Sequence, residues 1–312
     1  MDTRSHASFM YTYVCIYIFL FVLASAPLTW AQSNDVCPDD PATFVAVQQR
    51  AAANDPAAQT ALAFCYDLGR NVQPSRKENM RWLEQAADQN YAPAQYELGR
   101  IYLYGRGVPA DYAKALLWER KAAKQGDARA QRDLALMYER GFGVTADPAQ
   151  AAEWNRKSAA QGHAEAQLHL GQALAEGTGV KKDPAAARRW YAKAARQENP
   201  AAQLQLARTY AGNANCAQAI HWYKEAASGG EPQAMYELGK LYSQKKCGAD
   251  RVSALQWFTT GARFGSKESK AAAERLSPSL SAAQQKSVHL AVERWIKQHP
   301  GSQKEEDDEE AK

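Results

Sequence analysis

The chain is poor in the features that announce chemistry. Its 312 residues include five cysteines, none in a Cys-x-x-Cys arrangement, which removes the common zinc and thiol-redox spacings. There is no Gly-x-Ser-x-Gly, no His-Glu-x-x-His and no Walker-type loop, so no metal and no cofactor is expected. Charge of one sign is also scarce: 38 basic residues face 34 acidic ones, a formal +4. That excess is too small to suggest a nucleic-acid partner. With 19 Gly and 13 Pro there is no collagenous or low-complexity bulk. Long apolar runs are missing except for one near the N-terminus.

That one run reads as an address. Arg4 lies in a short polar segment, and Phe9 to Ala24 is almost wholly apolar and aromatic. The run is shorter than the roughly 20 residues a spanning helix needs. Thr29 and Ala31 put small side chains at the −3 and −1 positions of a signal-peptidase cut. Residues 1–31 are therefore expected to be a signal peptide cleaved after Ala31, with an uncleaved anchor as the alternative. The expected location is periplasmic or secreted, with no stable membrane span after cleavage. Cys15 leaves with the signal, and Cys37, Cys65, Cys216 and Cys247 remain. In an oxidising compartment four cysteines suggest disulfides, with three possible connectivities.

What is abundant is self-similarity. Trp82, Trp118, Trp154, Trp190, Trp222 and Trp257 recur at spacings of 36, 36, 36, 32 and 35. Leu62, Leu98, Leu134, Leu170, Leu206 and Leu238 run in step, and each is followed by Ala or Gly. Such a period marks an all-α solenoid of stacked helix-turn-helix units. In the first helix of the second unit Ala94, Leu98, Ile101 and Tyr102 form one stripe. Gly105-x-Gly107, Gly141-x-Gly143 and Gly177-x-Gly179 then break the chain, with Asn71 in the first unit. Seven residues before each Trp stands a helix-capping residue: Ser75, Asp111, Asp147, Asp183, Asn215 and Asp250. The strict register of the Trp series indicates packing, not a ligand-stacking ladder.

Together these patterns resemble the Sel-one-like repeat (SLR), a relative of the TPR α-solenoid, in its exported bacterial form. Lys121-Ala122-Ala123-Lys124-Gln125-Gly126-Asp127 carries the motif most fully. The resemblance covers residues 56–267 as about six repeats, preceded by a linker and capping helix at 32–55. Helices at 268–300, opened by a capping box at Ser281 to Gln284, should close the array. Residues 301–312, with six acids among Glu305 to Glu310, should form a disordered acidic tail. The fifth and sixth units lack the Gly-x-Gly turn and hold Cys216 and Cys247 there. In this register the expected pairs are Cys37 with Cys65 and Cys216 with Cys247, each local to the array.

The resemblance implies a non-catalytic scaffold that binds a protein or peptide on the concave face lined by the first helices. On those helices the non-repeating positions are Tyr96, Arg100, Arg132, Arg208, Tyr236 and Lys240. With few acids opposite, chiefly Asp67 and Glu139, they suggest an acidic or C-terminal peptide, for which the chain's own tail could compete. Two alternatives stand beside this. Cysteine-rich relatives are described as penicillin-binding or β-lactamase-like, and Ser243-Gln244-Lys245-Lys246 fits Ser-x-x-Lys, without its Lys-Thr-Gly or Ser-Asp-Asn companions. The chain could also be a structural part of an envelope or secretion assembly. Oligomeric state is not readable.

Overall fold

Repetition of one local code produces the observed architecture. In the computed structural model, which describes residues 37–299, every regular element is helical. The apolar N-terminal run with its expected cleavage site and the acidic segment after residue 301 lie outside the described residues. The helices are α1 (Pro41–Ala52), α2 (Pro56–Leu68), α3 (Arg76–Asp88), α4 (Ala92–Tyr104) and α5 (Tyr112–Lys124). They continue as α6 (Ala128–Arg140), α7 (Pro148–Ala160), α8 (Ala164–Glu176), α9 (Pro184–Ala195) and α10 (Pro200–Gly212). Then follow α11 (Cys216–Ser228), α12 (Pro232–Tyr242), α13 (Arg251–Arg263), α14 (Lys267–Leu276) and α15 (Ala282–Gln298). From α2 to α13 they pair as six hairpins, the even-numbered helix of each being the first, A, helix and the next its B helix.

The caps are where the sequence puts them. Each of Ser75, Asp111, Asp147, Asp183, Asn215 and Asp250 accepts a hydrogen bond from a backbone N–H two or three residues on. These side chains satisfy donors that a helix start leaves without partners. The reversals need a left-handed residue, and Gly143 (φ 68°) and Gly179 (φ 68°) supply it. A Cβ at Gly143 would also overlap the Tyr112 carbonyl, and one at Gly179 the Pro148 carbonyl. Asn71 takes the same conformation at φ 60°.

The described residues fall into two compact units divided between Ala94 and Gln95. In the first, Phe44, Val47, Ala51, Ala58, Ala61 and Leu62 form a core around the buried Cys37–Cys65 disulfide. Gln89 donates to Gln59 at 2.7 Å, and Gln59 donates to the Ala51 carbonyl at 3.3 Å. In the second unit the same device recurs: Gln125 on Gln95, Gln161 on Gln131 and Gln197 on Gln167, at 2.7, 2.9 and 2.9 Å. This glutamine ladder satisfies buried amides between successive repeats. The second disulfide joins Cys216, the first residue of α11, to Cys247 in a 3-10 turn after α12. It ties together the two turns that lack Gly-x-Gly. The capping box at Ser281 and Gln284 is formed, and Val288 and Val292 of α15 bury against Leu255 and Leu280.

The tryptophan series packs against the core, though at shallow depth. Among the six repeating tryptophans only Trp257 is fully buried. The rest are half-buried, and Lys121, Lys157 and Lys193 lie over the rings of Trp118, Trp154 and Trp190 at 4.0, 3.9 and 4.1 Å. A lysine three residues on reaches back along the helix, so its ammonium covers the face the core leaves open. The interior is filled instead by the residue after each Trp: Leu83, Glu119, Asn155, Tyr191, Tyr223 and Phe258, none more than 6% exposed.

Candidate functional site

The non-repeating chemistry gathers on the A helices of the second to fourth repeats, inside the second unit. Tyr96, Arg100 and Tyr104 follow one another at four-residue steps on α4, hence on one face. Arg129, Arg132 and Asp133 come from the first turns of α6. His163 stands at the N-cap position of α8, and Glu165 lies in the first turn of that helix. These eight side chains line a cleft of about 280 Å³.

Within it, charges are mostly matched. Asp127 accepts from Arg129 at 2.9 Å. Arg132 is held between Asp133 at 2.7 Å and Glu165 at 2.8 Å. Arg100 differs: it lies 5.6 Å from the Tyr96 ring and 5.7 Å from the Tyr104 ring, and among the described residues it forms no salt bridge. Arg129 covers the Tyr96 ring at 4.2 Å. Burial lifts the Tyr96 phenol well above its ordinary range, the Asp133 charge adding to it. Burial also raises the carboxyl of Asp133 despite Arg132. His163 occupies the N-cap position that Asp127 and Asn199 fill in neighbouring repeats, yet its side chain caps nothing. Its Nδ1 is buried without a hydrogen-bond partner, and burial pushes its pKa down, so the ring is neutral near pH 7. The cleft thus offers one uncommitted cation between aromatic walls and a neutral imidazole. That suits a carboxylate beside an apolar group.

The other sequence-selected residues fall elsewhere on the A helices. Tyr236 and Lys240 line a second cleft with Ser243, Phe258, Arg275 and Leu276. Lys240 is bonded to Glu237 at 2.8 Å, and Arg208 approaches the same carboxylate at 4.0 Å. The expectation of few acids opposite these cations fails, because Asp133, Glu165 and Glu237 each stand beside one. Asp67 is engaged by Arg76 at 2.9 Å. Tyr96 is 7% exposed, a wall and not a protruding contact. The Ser243 hydroxyl donates to the Gly239 carbonyl at 2.8 Å, closing the end of α12. His163 and His169 line different clefts, and no group of three metal-ligating side chains converges among the described residues. Glu165, Asp133 and His163 escaped the sequence reading. Two of them carry a signal at fixed register: the residue before the repeating Leu runs Ala61, Glu97, Asp133, His169, Gln205, Glu237, and His163 stands at the cap register where Asp55, Asp127 and Asn199 stand.

The family profile of the Sel1 repeat matches residues 56–91, 92–127, 128–163, 164–199, 200–231 and 232–264. The chain belongs to the Sel1 repeat family. Members of this family are generally non-catalytic scaffolds that bind proteins. Among solved structures the chain is similar to c5321, a protective antigen of uropathogenic Escherichia coli with an SLR fold. Identity is 31% and the TM-score 0.72, over 85% of this chain and 57% of that one. The chain thus spans little more than half of that relative's length. It is also similar to a Sel1 repeat protein from Oxalobacter formigenes, at 33% identity and a TM-score of 0.60, over 68% of this chain and 89% of that one. A search of curated proteins finds no match. For this Sel1 repeat protein the matched ranges coincide with the six hairpins, so the A-helix cleft spans repeats two to four of the array. No described helix is long and apolar enough to cross a membrane.

Proposed function

We propose that this Sel1 repeat protein is an exported, non-catalytic scaffold that holds a segment of another protein along the A-helix face of its second unit, with Arg100 receiving a carboxylate. The uncommitted Arg100 guanidinium carries this reading. Its neighbours Arg129 and Arg132 are already neutralised, so they shape the cleft while Arg100 is left to recruit. Tyr104, 47% exposed, gives an apolar surface beside it. Export is supported by the two disulfides and by the N-terminal address. The acidic segment at Glu305 to Glu310 is a competitor for Arg100 within the same chain.

The experiment is binding of a fluorescent acidic peptide, with and without a free C-terminal carboxylate, to the oxidised protein. Arg100→Glu should weaken binding at least tenfold, and added salt should weaken it progressively. Deleting residues 302–312 should strengthen it. Silence of both changes rejects the cleft and leaves an edge-binding component of an envelope assembly as the better reading. Hydrolysis of a chromogenic β-lactam that disappears in Ser243→Ala would instead favour the enzyme reading.

A further inference from the structure

Among the described residues the least accommodated group is the carboxyl of Glu119. It sits on α5 directly after Trp118, at the register where the other repeats place Leu83, Asn155, Tyr191, Tyr223 and Phe258. All five of those are uncharged. Glu119 is wholly buried, and neither of its oxygens has a hydrogen-bond partner among the described residues. It packs on Gly99 of α4: a Cβ there would stand 2.5 Å from Glu119 Oε1. Gly171 and Gly239 make the same room for the rings of Tyr191 and Phe258. The pocket is therefore one built for a neutral filler.

The charged groups facing it come from two helices. From α4 there are Glu97 and Arg100. From the start of α6 there are Asp127 and Asp133, each already bonded to an arginine. Three carboxylates and one uncommitted cation face the group, and an unsolvated fourth anion there is costly. Burial, followed by Asp133, Asp127 and Glu97, holds the carboxyl well above the ordinary glutamate range.

We infer that Glu119 is a proton-operated core residue of the second repeat: protonated, it fills the Gly99 pocket as an apolar side chain would, and on losing its proton it loosens the α4–α5 hairpin. The direction follows from linkage. A carboxyl raised on folding keeps its proton in the native chain at a pH where the unfolded chain has released it. Stability is then highest below the unfolded value near 4.5. It falls as pH rises from there to the folded value, and is constant above it. A carboxylate bound at Arg100 would weaken that cation's pull on Glu119 and raise its carboxyl further, so the direction is the same whatever occupies the cleft.

The test is thermal unfolding of the oxidised full chain from pH 4 to 9, comparing the wild type with Glu119→Gln. Inside the linkage window the folded-to-unfolded ratio of the wild type should fall about tenfold per pH unit relative to the variant, by the one proton that distinguishes them. The variant should be the more stable at neutral pH. Parallel profiles overturn the inference. Should Glu119→Gln not fold, wild-type amide protection decides. Loss of α4–α5 protection relative to the Tyr191-filled hairpin α8–α9 with rising pH supports the inference, and a constant ratio overturns it.

Discussion

The second and sixth repeats are built on the same glycine and finished with opposite chemistry. Gly99 faces the carboxyl of Glu119, and Gly239 faces the ring of Phe258. In the sixth repeat the ring packs with Ala254 and Ala272, and Tyr236 lies beside it at 5.8 Å between centroids. In the second, the space is equally closed but filled by a group without a hydrogen bond. The turns differ as well: Gly105 and Gly107 reverse the second hairpin, whereas the sixth uses a 3-10 turn tied by Cys247 to Cys216. The repeats share a shape, a gap beside a small residue, while the filler of that gap and the way the turn is held differ from one repeat to the next.

The largest change should come from emptying the better-filled gap. Phe258→Ala should cost about 3–5 kcal/mol, because the rigid helices around it collapse only partly. Chemical denaturation should show this as a lowered midpoint. A loss below about 1 kcal/mol would mean the sixth repeat does not depend on its filler. Next comes the disulfide: replacing Cys216 and Cys247 by Ser should cost about 3–4 kcal/mol for a loop of some 30 residues. The second repeat, with glycine turns, should keep its amide protection in that variant, since stacked repeats couple chiefly to neighbours.

Adding one methyl group sharpens the comparison further. Gly239→Ala and Gly99→Ala each overfill the gap, at a cost of about 1–3 kcal/mol. Gly239→Ala should cost more, because an aromatic ring has fewer ways to move than a flexible glutamate. The reverse order, measured by thermal midpoint, would show that Glu119 is held more firmly than Phe258. The caps should discriminate least. Asp250→Ala should cost about 1 kcal/mol, and Asp111→Ala should shift the midpoint in the same direction. Their pH signature is opposite to that of Glu119. The Ser253 hydroxyl holds the Asp250 carboxyl below its ordinary value, so its contribution is present above about pH 4 and lost as pH falls further.

Much of this fold was legible because the solenoid code is local. The Trp and Leu registers, the six caps and the glycine turns are each read within one repeat, and that locality made the two observed cysteine pairs the expected ones. The clefts were less legible. Arg100 stood out as a departure on α4, yet its value as a free cation depends on Asp127, Asp133 and Glu165 engaging its neighbours. Those acids belong to the next two helical hairpins. Sequence spacing put Arg132, Arg208 and Lys240 in the same class as Arg100, and only packing separates them. The depth of the Trp series was illegible for a related reason. A periodic aromatic marks a fixed position, but its depth depends on which neighbour overlies it, and here lysines cover what helices do not.

By itself, then, the sequence determined the helical repeats and their boundaries, since capping, turn geometry and period act over fewer than forty residues, and it made local cysteine pairs the expected ones among three connectivities. The tertiary structure decided which arginine is uncommitted, and that Glu119 fills a sealed gap with no partner. Both properties depend on side chains brought together from successive repeats, where burial and charge are set by neighbours that no single repeat encodes.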